Sequence, residues 1–155
     1  MNEDAELDER IEAAKARKKA AETERQAIEE RESKRRQAEE LEREAANTEA
    51  LARAEAELGT LNVHFGIVET HMGNIILRKP NHLKFRQFQD ANQFSSTQCD
   101  NFVRKGADGG KTCVFYPEGE KLDLLFEELP ATIIVCANKL SELARGATKE
   151  AEAKS

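Results

Sequence analysis

Residues 5–58 read AELDERIEAAKARKKAAETERQAIEERESKRRQAEELEREAANTEALARAEAEL, and neither proline nor glycine occurs among them. Ala, Glu, Arg, Lys and Gln, all strong helix formers, fill most positions, so the stretch predicts one long helix. Opposite charges recur at helical spacing, as in Glu6 with Arg10, Glu32 with Arg36 and Glu39 with Arg43. Each such pair adds about 0.2–0.5 kcal/mol on an exposed face, which supports a helix that buries little. Gly59 is the first residue able to end it cleanly, by taking the left-handed conformation that side chains disfavour.

A coiled coil needs an apolar seam at alternating spacings of three and four. From Leu7 that seam runs Leu7, Ile11, Ala14, Lys18, Ala21, Arg25 and Ile28, so it is interrupted by charge at Lys18 and Arg25. A second stretch runs Ala38, Leu41, Ala45, Thr48 and Ala52. The part from Ala38 to Leu58 is therefore the expected docking surface, to pack on a partner or on the chain's own domain, with Leu41, Ala45, Leu51 and Leu58 as candidate partner-binding residues. Residues nearer the N-terminus are expected to be an exposed arm or a late-ordering segment. Self-association through this helix is one of the arrangements the pattern allows.

Beyond Gly59 the composition changes. All seven Phe and the single Tyr lie at Phe65 or later, so a core can form only there. Thr60–Glu69 alternates apolar and polar residues, with Leu61, Val63, Phe65 and Ile67 on one face, and predicts a strand. His71–Asn74 predicts a turn and Ile75–Arg78 the returning strand of a hairpin. Pro80-Asn81 opens a helical segment with Leu83, Phe85, Phe88, Ala91 and Phe94 on its apolar face. A second short helix is expected from about Ser96 to Lys105, a loop from Lys105 to Gly110, and a short strand from Thr112 to Tyr116, stopped by Pro117. A helix from Glu118 to Leu129 is broken by Pro130, and a last helix is expected to stop at Gly146, leaving a frayed tail.

The net charge of −6 belongs to the N-terminal part, where residues 1–58 carry 18 acidic and 12 basic side chains against 12 of each in residues 59–155. An acidic balance argues against general affinity for nucleic-acid phosphates. The basic runs Lys15, Arg17, Lys18, Lys19 and Lys34, Arg35, Arg36 are interleaved with Glu and have no aromatic residue to stack on bases, so a mixed-charge surface is the expected reading. A nucleic-acid-binding accessory protein is the alternative those runs would support.

Cys99, Cys113 and Cys136 are odd in number and form no Cys-x-x-Cys pair, which predicts reduced thiols, with Cys136 packed inside the run Ile133–Ala137. No apolar run approaches the roughly 20 residues of a membrane span. His64, His71 and His82 lack Cys, Asp or Glu partners at metal-site spacing. The glycine-rich stretch Gly106–Thr112 follows a helix and opens a strand, the reverse of a phosphate-binding loop. Glu127-Glu128 has no second group placed beside it for acid–base work. The expectation is a chain with no catalytic, cofactor-binding or metal-binding residues.

Several segments together carry a family likeness. They are the hairpin ending Leu77-Arg78-Lys79-Pro80, the helix with Phe85 and Phe88, Cys113-Val114-Phe115-Tyr116-Pro117, Leu124-Leu125-Phe126-Glu127-Glu128-Leu129-Pro130, and the closing Leu140-Ser-Glu-Leu143-Ala-Arg-Gly146. In this order residues 61–146 resemble the small tail assembly chaperone proteins of tailed bacteriophages. The resemblance implies a non-enzymatic morphogenesis protein of the infected host's cytoplasm that binds the tape-measure protein and helps bring tail-tube subunits to it. A virion-associated structural component, or an adaptor with a helical arm, would suit the long helix equally.

The resulting expectation is an α+β fold with a small antiparallel sheet and three to four packed helices, preceded by a long charged N-terminal helix. Its parts are the helix at 1–58, the domain at 59–146 and a flexible tail at 147–155.

Overall fold

A computed structural model describes residues 2–91 and 95–154, with side chains described through residue 146. In order, the elements are α1 (Glu3–Glu57), β1 (Phe65–Thr70), β2 (Gly73–Arg78), α2 (His82–Asp90), α3 (Ser96–Lys105), a 3-10 turn (Asp108–Gly110), β3 (Val114–Tyr116), α4 (Glu120–Glu128) and α5 (Thr132–Lys154). The architecture is α+β, with a three-stranded antiparallel sheet in the order β1-β2-β3 and five helices. The expected apolar residue Phe94 lies outside the described residues.

The chain divides into two compact units, Met1–Glu42 and Arg43–Ser155. In the first, every described residue is exposed. Its helix rests on residue propensity and on a ladder of ion pairs: Glu12–Lys15 at 3.8 Å, Lys18–Glu22 at 4.0 Å, Arg25–Glu29 at 3.5 Å, Glu32–Arg36 at 3.6 Å and Arg35–Glu39 at 4.0 Å. Solvent screens each pair, so the ladder supports the helix without fixing it to anything.

The second unit begins inside α1, whereas the sequence placed the division at Gly59. The last turns of α1 cover one face of the sheet, where Ala50 and Ala54 are buried with Phe65, Ile76 and Phe115, and Leu51, Leu58, Ile67 and Tyr116 pack around them. On the opposite face Val68, Ile75, Leu77 and Val114 meet Phe88, Phe102, Val103, Leu122, Phe126 and Leu140 from α2 to α5. Strand β2 is thus the middle layer of a sandwich. Its Ile75-Ile76-Leu77 run sends successive side chains to opposite faces and buries all three, as the two-residue period of a strand requires. The register shifts between Ile76 and Leu77 where β3 pairs.

Two expectations change. Strand β1 starts at Phe65 and not at Thr60, because Asn62 has φ 65° and residues 60–64 close a turn in which the His64 N–H donates to Thr60 O at 2.8 Å. Leu61 is left 39% exposed instead of joining the strand face. Gly146 does not stop the last helix either, since α5 continues to Lys154. A glycine inside a helix costs only about 1 kcal/mol relative to Ala, and the ATKEAEAK that follows is rich in helix formers. The tail expected at 147–155 is accordingly helical as far as Lys154.

Two glycines lie under close neighbours. Gly59 has φ +121°, and a Cβ there would come within 2.5 Å of the His64 ring, whose Nδ1 accepts the Thr60 N–H at 2.9 Å. At Gly66 a Cβ would press on the Lys139 side chain at 2.9 Å and Leu143 at 3.3 Å, so the bare position eases the crossing of α5 over β1.

A chain beginning at Arg43 is expected to unfold cooperatively in urea. One beginning at Gly59, with Phe65, Ile76 and Phe115 uncovered, is expected to bind a hydrophobic dye and aggregate. Equal stability of the two would show that the last turns of α1 are dispensable to the core.

Candidate functional site

The four candidate partner-binding residues separate into two pairs. Leu51 and Leu58 are half-buried against Phe65, Ile76 and Phe115, so their apolar surface serves the protein's own core. Leu41 is 60% exposed and Ala45 is exposed. The seam read from Ala38 onward lies on the outer side of the docked turns, for Ala45, Thr48 and Ala52 are exposed while Ala50 and Ala54 are buried. Ala45 and Ala54 are nine residues apart, which is about two and a half helical turns and places them on opposite sides.

What selects the docked side is contact with the sheet. Asn47 Oδ1 accepts the backbone N–H of Asn74 at 2.9 Å, fastening α1 to the hairpin turn. The Arg53 guanidinium sits over the Phe115 ring at 5.1 Å, and Arg78 lies at 5.5 Å from the same centroid. Each such contact contributes about 0.5–1 kcal/mol when exposed and more when desolvated. Asn47 and Arg53 are polar, so no search for an apolar seam would select them; the small size of Ala50 and Ala54 was the available signal, and it was shared by the alanines of the opposite side.

Large apolar side chains are also exposed on the remainder of α1, with Leu7 at 48%, Ile11 at 49% and Ile28 at 50%. In the domain, a hollow of about 200 Å³ lies between the hairpin turn and α4, lined by Met72, Asn74, Tyr116, Pro117, Leu124 and Leu125. A second, of about 190 Å³, lies between α2 and α3 and presents Lys84, Gln87, Gln98, Asn101 and Lys105 above Phe88 and Phe102, whose rings stack at 4.4 Å. Both are smaller than the roughly 300–1,000 Å³ of ordinary small-molecule sites.

The remaining sequence features fall apart in space or serve the fold. His64, His71 and His82 are exposed, and among the described residues no three His, Cys, Asp or Glu side chains gather to hold a metal ion. The glycine-rich stretch turns its amides inward, with the Ala107 N–H donating to Lys111 O at 3.0 Å and the Gly110 N–H to Ala107 O at 3.1 Å. Asp108 accepts from Asn81 Nδ2 at 2.8 Å, which ties this connection to the start of α2. Glu127 and Glu128 are exposed. Lys15, Lys18, Arg35 and Arg36, from the two basic runs, are each engaged by a carboxylate of the same helix. No helix among the described residues is long and apolar enough to cross a membrane.

No protein-family model, curated protein or solved structure matches the chain.

The three cysteines are buried and in no disulfide. Burial pushes the Cys113 and Cys136 thiols up to about 12 from 9.0, and it raises Cys99 as well. At Cys113 a hydrogen bond from the Gly106 backbone and the charge of Arg78 oppose the rise without cancelling it. A thiol whose folded pKa lies above its unfolded value holds its proton more tightly in the native state, so the stability it contributes is complete below the unfolded value and lost as pH rises toward the folded one. Urea midpoints are therefore expected to fall progressively from about pH 9 to about pH 12, with the thiols unreactive toward iodoacetamide at pH 8 until the chain unfolds. Rapid labelling of Cys113 or Cys136 in the native protein would contradict this placement.

Proposed function

We propose that the protein is a non-enzymatic phage morphogenesis factor, similar to a tail assembly chaperone, that works by contact with tape-measure and tail-tube proteins. The observation that carries the reading is the exposed Leu41 on a helix whose own core contacts begin only at later turns. A large aliphatic side chain left in water on a charged helix is an anchor that a partner's apolar groove can bury, in the manner of helix-in-groove recognition. The order of hairpin, Phe-bearing helix, Cys-Val-Phe-Tyr-Pro strand and Pro-separated closing helices supports the phage assignment, through the family resemblance alone. Such a factor acts in the cytoplasm of the infected host.

A structural virion component with a helical arm is the competing reading, favoured by the same exposed helix. A nucleic-acid accessory role draws less support, because Lys18, Arg35 and Arg36 of the two basic runs lie beside carboxylates of the same helix and no aromatic residue stands among them to stack on bases.

Coexpression of the full chain with a tape-measure protein, followed by affinity purification, is expected to recover the two together. Leu41→Glu is expected to reduce that recovery at least about tenfold while leaving the urea midpoint unchanged, since a surface substitution shifts stability by about 0.5 kcal/mol or less. Recovery only with finished particles would replace the chaperone reading with the structural one. Salt-sensitive DNA or RNA binding, with no protein partner, would replace both.

A further inference from the structure

The exposed face of α1 between Leu7 and Ile28 carries a hollow lined by Leu7, Arg10, Ile11 and Ala14, with Ala13 and Arg17 beside it. Leu7, Arg10, Ile11 and Ala14 stand in the relation of the four residues that form a hole for one knob in a coiled coil. We propose that a second copy of this chain fills it, with residues 7–32 of the two copies pairing antiparallel so that Ile11 of each packs on Ile28 of the other.

The charge pattern decides both the occupant and the direction. In a parallel, in-register pair Lys18 would face Lys18 and Arg25 would face Arg25 at the seam. The flanks would then set Glu3 against Asp8, Arg10 against Lys15, Glu24 against Glu29 and Arg31 against Arg36, and only Arg17 with Glu22 would attract. In the antiparallel register Lys18 faces Ala21 of the second copy and Arg25 faces Ala14. Alanine leaves room there for the aliphatic stems of the long residues to lie across the seam while their charged ends reach water. On the flanks Lys15 meets Glu22 and Arg17 meets Glu24, each pair occurring twice, because in a two-fold interface every contact is repeated.

Like-charged neighbours remain only toward the ends, at Asp8 with Glu29 and Arg10 with Arg31. Glu29 has Arg25 of its own helix at 3.5 Å, as Lys15 has Glu12 at 3.8 Å and Glu22 has Lys18 at 4.0 Å. The Lys15–Glu22 contacts between copies therefore form by sharing those exposed pairs, whereas Arg17 and Glu24 stand outside them. Shifting the antiparallel register by one heptad either way loses the Ile11–Ile28 layer and brings Glu22 against Glu22 or Lys15 against Lys15. The interruptions that spoil the seam for a parallel coil therefore suit an antiparallel pair of identical helices. This pairing is independent of the assembly role proposed above.

Sedimentation equilibrium of the full chain over a range of concentrations tests it, with circular dichroism confirming helix content in each variant. A reversible dimer is expected. Ile11→Glu should weaken it on the order of a hundredfold, because the layer it disrupts is present twice. Arg17→Glu should weaken it about tenfold, and adding Glu24→Arg should restore it. Adding Glu22→Arg instead should weaken it further, through repulsion from Lys15. A monomer at all concentrations, a dimer indifferent to Ile11→Glu, or rescue by Glu22→Arg in place of Glu24→Arg would each overturn the proposal.

Discussion

Ala50 and Ala54 lie buried on a sheet face that Phe65, Ile76 and Phe115 fill, and most of the domain's organisation follows from that contact. A three-stranded sheet with apolar side chains on both faces needs two covers. Helices α2 to α5 provide one, and the final turns of α1 provide the other. Alanine at these positions lets the helix seat on the side chains of the sheet, beside the contacts that Asn47 makes with the hairpin turn and Arg53 makes with Phe115. A larger residue at either position would hold the helix away and loosen those polar contacts together with the apolar ones.

This arrangement divides the roles of α1 along its length. The turns that complete the domain use small side chains and bury them. The earlier turns keep Leu7, Ile11, Ile28 and Leu41 in water, held on a helix that its own ion pairs support. Under the proposed assembly role, Leu41 is the anchor for a foreign protein, while the face bearing Leu7, Ile11 and Ile28 is the one proposed to meet a second copy.

Some of the domain's titratable groups serve its structure. Arg104 illustrates this: it donates to Asp100 at 2.8 Å on its own helix and to Asp123 at 3.1 Å on α4, and it lies over the Phe126 ring at 5.4 Å. The effect is to join α3 to α4 at the edge of the main core. The thiols of Cys113 and Cys136 fill space beneath the sheet and α5, where loss of solvent holds them protonated. Leu83 shows the limit of an apolar pattern in α2: it is 60% exposed, whereas Phe88 is buried and Phe85 is half-buried against the core.

The long helix, the hairpin, the proline-separated helices and the α+β class were legible in the sequence, because they depend on local properties: helix propensity without interruption, alternation on strands, and breaks at Pro117 and Pro130. The beginning of β1 was not, because Leu61 and Val63 continue the alternation while the chain at Asn62 turns through a positive φ. Burial divides the four candidate partner residues in a way the apolar pattern did not show. Leu41 and Ala45 are exposed as a partner surface requires, but Leu51 and Leu58 belong to the core, and the seam through Ala45, Thr48 and Ala52 faces away from the sheet. The sequence alone determined that α1 is a helix and roughly how long it is. Only the tertiary structure decided which side docks, since alanine occurs on both sides of it and carries too little apolar surface to mark either, leaving the choice to the large side chains of the sheet it meets.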